Sequence, residues 1–156
     1  MAVLAETTAQ VLVDDVVTLP QAAEKIDEIV ASVRDLHCFV IANKVIFQGT
    51  LHKQIFFVDL NGFVRHVGVD IPFSGFVDTP GVPAGATCQV TAEVVFVTFE
   101  LLTPTQMRET VVIHINIVVT DTPGNTLTFT DTLPVQPLRF GPKGTCHVCE
   151  AGFHTW

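Results

Sequence analysis

From Lys44 to Asp59 apolar side chains recur at every second position. Val45, Phe47, Leu51, Ile55 and Phe57 share one face with Gly49 and Lys53, and Gln48, Thr50, His52 and Gln54 share the other. A period of two is the repeat of an extended chain, whose successive Cβ atoms point to opposite sides. The segment therefore reads as a long strand with one wet face, in which Gly49 is a candidate bulge or bend. Asn61-Gly62 supplies residue types that tolerate the two positive φ angles of a two-residue hairpin. Phe63–Asp78 returns as the partner, and Pro72 belongs on a sheet edge or at a break because it has no N–H to donate. Such a hairpin sets His52 near Ile71 and His66 near Phe57, so the two imidazoles do not face each other. The Asp59-Leu-Asn61-Gly62 run resembles the opening of a calcium loop, but the later acids and closing Glu are missing, and turn chemistry explains it.

The same pattern continues along the chain. Cys88–Leu102 and Glu109–Thr120 are rich in Val, Ile and Phe, and Val111, Ile113, Ile115, Ile117 and Val119 form one face of the second run. Val11–Leu19 and Leu127–Leu133 are shorter strand candidates, and Thr79–Gly85 is a loop by its Pro and Gly content. Ala22, Ile26, Ile29, Val33 and Leu36 have helical spacing behind Pro20, so the local pattern over 21–36 leans toward a helical turn or two, with strand as the alternative. The expected class is all-β: an antiparallel β-sandwich, for which a jelly roll is one arrangement, with extended termini. Three regions follow: an N-terminal strand or arm at 1–24, a β domain at 25–133, and a Pro-, Gly- and Cys-containing tail at 134–156.

Composition narrows the function. Only 15% of residues are charged and the mean hydropathy is +0.47, which argues against disorder and against an ordinary solvated surface. Twelve Phe and one Trp with no Tyr leave aromatics that serve mainly as packing. Sixteen acids against eight Lys and Arg, the latter scattered singly, exclude phosphate-backbone binding as an expectation. No apolar run reaches the roughly 18 residues of a membrane helix. The start lacks a basic region and a long apolar stretch, so secretion by signal peptide is not expected.

Cys38, Cys88, Cys146 and Cys149 form an even set with three possible pairings. Cys146 and Cys149 with His154 offer three ligands in the spacing of a zinc knuckle, the fourth to come from His147, Cys38 or Cys88. A single C-x-x-C in a Gly-flanked tail favours disulfide cross-linking first and zinc second. His residues are otherwise dispersed, and Asp14-Asp15 reads as a solvated strand end. Ser32 and Ser74 are the only serines, and no nucleophile elbow, phosphate loop or H-E-x-x-H is present. The expectation is a non-enzymatic protein without a cofactor.

The stretch Asn43-Lys-Val-Ile-Phe-Gln-Gly-Thr-Leu-His-Lys-Gln-Ile-Phe-Phe-Val-Asp59, followed by Val64-Arg-His-Val-Gly-Val-Asp-Ile-Pro-Phe-Ser-Gly-Phe-Val-Asp78, resembles the SPOCS domain family over roughly residues 25–120. The resemblance implies an all-β interaction domain of endospore coat assembly without catalytic activity, and it favours strand over 21–36. It implies a protein made in the mother-cell cytoplasm that ends at the spore surface, with copies of itself and other coat proteins as partners. With a single SPOCS-like unit and no LysM module the sequence departs from the larger family members, so direct peptidoglycan targeting is not expected. The tail, with Phe140, Phe153 and Trp156 as assembly contacts, suits strand addition to a neighbour. Oxidised Cys38, Cys88, Cys146 and Cys149 are expected to lock neighbours together.

Overall fold

A computed structural model describes residues 2–121 and the backbone of three short segments at 128–129, 138–140 and 146–148. Every regular element among them is a strand. Six long ones, β1 (Val3–Thr18), β2 (Ala23–Ile41), β3 (Lys44–Asp59), β4 (Val64–Asp78), β5 (Thr87–Thr103) and β6 (Gln106–Thr120), build two antiparallel three-stranded sheets. One has the order β1-β6-β5 and the other β4-β3-β2. The short strands β7 (Thr128–Phe129) and β8 (Leu138–Phe140) pair with β2, and β9 (Cys146–Val148) pairs with β8. The β1 edge stands over β4 and β5 over β2, so the buried odd-numbered residues of β3 and β6 form the centre of a sandwich. Pro72 lies on β4, an edge strand, as its missing N–H requires.

Between β1 and β6 the chain changes sheet twice, once at each end. The 19–22 arch is held to the β5–β6 turn by Leu19 N–H to Thr105 O (2.8 Å) and Ala23 N–H to Pro104 O (2.7 Å). At the other end the 79–86 loop lies on the β2–β3 turn: Asn43 N–H donates to Val82 O (2.8 Å) and Gly81 N–H to Asn43 Oδ1 (2.8 Å). The segment 1–24 supplies β1, which pairs with β6 along its length.

Three sequence expectations are corrected. Residues 23–41 are strand throughout, as the family resemblance implied and against the helical turns toward which the local pattern leans. Register shifts at Ala23/Lys25, Ile26/Glu28 and Arg34/His37 each insert one extra residue. The buried positions Ala23, Ile26 and Ile29, and again Val33 and Leu36, are thereby spaced by three. Bulges thus imitate a helical period within an extended chain. The β3–β4 turn holds four residues, 60–63, with positive φ at Gly62 alone of the Asn61-Gly62 pair, which moves the register by one and sets His52 opposite Asp70. Gly49 is in regular register with Phe73, and the bulge lies across from it on β2. A Cβ at Gly49 would come 2.8 Å from the Phe73 ring, and one at Gly75 would come 2.5 Å from the Phe47 ring. Each glycine makes room for the aromatic ring of the other strand.

Candidate functional site

Two features tie the sheets together, at different levels of the sandwich. Cys38 on β2 and Cys88 on β5 are joined by a disulfide with a Cα–Cα distance of 6.3 Å, and both are buried. The expectation that these two cysteines link neighbouring chains is therefore corrected: inward register on facing strands makes them each other's partner, which also removes them as fourth zinc ligands. Cys146 lies on β9 and Phe140 on β8, so the backbone of 138–140 extends this chain's own sheet. Cys149, Phe153, His154 and Trp156 lie outside the described residues, as does His147's side chain. Among the described residues no group of three His, Cys, Asp or Glu side chains is placed to hold a metal ion.

The second tie was not foreseen. Lys53, in the middle of β3, is fully buried, and its Nζ abuts Oε1 of Glu109, buried on β6 of the other sheet. Asp15 Oδ2 stands 3.8 Å from the same nitrogen. Asp15 is opposite Glu109 in the β1–β6 register. It is turned partly inward rather than solvated, whereas Asp14 points out and accepts from Arg108 Nη2 (2.6 Å) and Nε (3.1 Å). Burial pushes the Glu109 carboxyl above its ordinary range, against the opposing pull of Lys53. A signal was available: Lys53 and Glu109 are both odd-numbered, on the inward phase of runs otherwise filled by Leu51, Ile55, Val111 and Ile113.

At the β3–β4 turn, Asp59 is buried and accepts from Asn61 N–H and Phe63 N–H (both 2.9 Å) and from Arg65 Nε (2.9 Å). The Arg65 bond, with the two backbone donors, holds its carboxyl below the usual carboxylate range. His52 Nδ1 and Asp70 Oδ1 are 2.6 Å apart across the β3–β4 pair, and His66 stacks at 5.1 Å on Phe56 instead. On β2, His37 Nε2 is hydrogen-bonded to Gln48 Oε1 (2.9 Å) beside an open depression lined by Asp35, Thr50, Pro72 and Ser74.

The surface is uneven along the two strands that end the sheets at β1 and β4. β1 carries no Lys, Arg or Pro in sixteen residues, and Leu12 and Val16 on it are 66% and 51% exposed. β4 carries Pro72 and ion pairs to its neighbour, including Asp78 with Lys44 (3.5 Å), with Phe76 exposed under the Lys44 ammonium at 4.6 Å. Lys and Pro are the usual guards against edge pairing, and β1 lacks both.

A family model described as SipL, SPOCS domain, matches residues 22–102, from the arch before β2 to the end of β5. The chain belongs to the SPOCS domain family. The matched span contains Lys53, both glycine–phenylalanine pairs and the disulfide, while β1 and β6, which bring Asp15 and Glu109, lie outside it. No curated protein and no solved structure matches the chain.

Proposed function

We propose that this SPOCS chain is a structural subunit of the bacterial endospore surface, a coat or appendage component that associates with its own copies through sheet edges and termini and performs no catalytic turnover. The observation that carries the reading is β1: a sixteen-residue edge strand without Lys, Arg or Pro and with exposed Leu12 and Val16. Such an edge offers backbone donors and acceptors to a strand of another molecule, and head-to-tail contacts of that kind close into rings or run on as filaments. The low charge content and the tail beyond β6 support it, with Phe140, Phe153 and Trp156 as contacts and Cys146 and Cys149 as the cross-linking pair left after Cys38 joins Cys88. Synthesis in the mother cell and a final place on the spore complete the proposal.

The test is light scattering and negative-stain microscopy of the wild type and of a Leu12→Lys/Val16→Lys variant. Rings or filaments are expected from the wild type and monomers from the variant. A wild type that stays monomeric at high concentration, oxidised and reduced, would favour an adaptor docking onto another coat protein and refute self-assembly.

A further inference from the structure

We propose that Lys53 and Glu109 condense into an intramolecular isopeptide bond that joins β3 to β6 through the centre of the sandwich. The two side chains meet in a single cross-section of the fold. Strand register sets Ala31 and Val69 on either side of Lys53, and Asp15 and Phe99 on either side of Glu109. Beyond their mutual contact and Asp15, Lys53 Nζ and both Glu109 carboxylate oxygens find no hydrogen-bond partner among the described residues. Two ions taken from water with so few partners are poorly compensated, because desolvation outweighs their attraction unless the remaining donors and acceptors are satisfied. Moving one proton from Nζ to the carboxylate gives a neutral amine against a neutral acid. These are the reactive forms for amide formation.

The bond balances without any co-reactant. The Nζ lone pair attacks Cδ of Glu109, the Nζ–Cδ bond forms, and one Cδ–O bond breaks. The departing oxygen leaves as water, carrying the carboxyl proton and one of the two amine protons, and the other stays on the amide nitrogen. Asp15, 3.8 Å from Nζ and partly open to solvent, is placed to take the amine proton and return it to the leaving oxygen. Fixed contact between the groups replaces a bimolecular encounter, and effective molarities for well-oriented intramolecular reactions reach about 10⁵–10⁸ M. The product removes two buried charges, and the surrounding apolar side chains keep water from reversing it.

The full-length protein, reduced, alkylated and denatured, is measured by intact mass spectrometry and then digested with trypsin. The expected result is a mass lower than that of the sequence by one water, with no cleavage at Lys53 and a branched peptide joining residues 45–65 to 109–139, its bridge mapped to Lys53 and Glu109. The deficit should disappear in Lys53→Met. In an Asp15→Asn variant that retains its β circular dichroism, the linked fraction should form several-fold more slowly. Full sequence mass with separate linear peptides from the wild type would overturn the bond, and a bridge mapped to Asp15 would overturn the choice of acceptor. Linkage at an unchanged rate in Asp15→Asn would overturn the relay.

Discussion

Two levels of the sandwich are held by different chemistry, and the contrast is instructive. At the end where β5 begins, Cys38 and Cys88 join β2 to β5, and the surrounding core is apolar. Nearer the middle, Lys53 and Glu109 join the two central strands, in an otherwise apolar layer that also holds the partly inward Asp15. A disulfide acts mostly on the unfolded chain, whose loop entropy it reduces. A buried charge pair acts on the folded state, where loss of either member strands the other. Losing the disulfide removes a constraint on the unfolded chain, whereas losing one member of the charge pair leaves the other buried and uncompensated.

Lys53→Met should have the largest effect. It leaves Glu109 buried without its cation and should lower stability by about 3–5 kcal/mol in urea denaturation. Adding Glu109→Leu sharpens the comparison: a pair that is merely ionic would recover to wild-type stability or beyond. A covalent link at these residues predicts that the double variant stays below the wild type. Second, Cys38→Ala/Cys88→Ala should cost about 4 kcal/mol, the loop-entropy value for a sequence separation of 50. On the same ground, Cys146→Ser/Cys149→Ser should run as a monomer on non-reducing gels, because Cys38 and Cys88 already satisfy each other.

A smaller loss is expected where glycine and phenylalanine interlock across β3 and β4. Gly75→Val drives a side chain into the Phe47 ring and should cost about 1–3 kcal/mol, read as a fall in urea midpoint at constant slope. The smallest effect is electrostatic and depends on pH. Because Arg65 and two backbone N–H groups lower the Asp59 carboxyl, folding is favoured most above the ordinary carboxylate range. That contribution fades as pH falls from there through the lower folded-state value. The melting temperatures of wild type and Asp59→Asn should therefore differ at neutral pH and converge in acid.

Much of the fold was legible residue by residue. The boundaries of β3 follow from alternation alone, because one face meets solvent and the other does not. The edge position of β4 was visible in Pro72. β2 was harder to read, since three bulges spread its buried residues at a spacing that a single chain segment shares with a helix. The β3–β4 register failed by one residue because the Asp59 carboxylate caps Asn61 and Phe63, widening a turn that composition assigned to two residues. At the candidate site, the cysteines stood out by type, while their pairing depended on which strands face each other. Lys53 and Glu109 were hidden by being 56 positions apart on runs that each look apolar.

The sequence by itself determined the class of structure, the strands and their inward faces, since period-two hydrophobicity admits no other way to bury those side chains. It also carried the family, in the residues from Asn43 to Asp78. Tertiary structure alone decided which inward residues meet across the sheets. Sheet packing brings together positions distant in the chain, and no local pattern encodes the partner of a lone cysteine or a lone buried lysine. The Cys38–Cys88 bond, the Lys53–Glu109 contact and the edge position of β1 all come from that level.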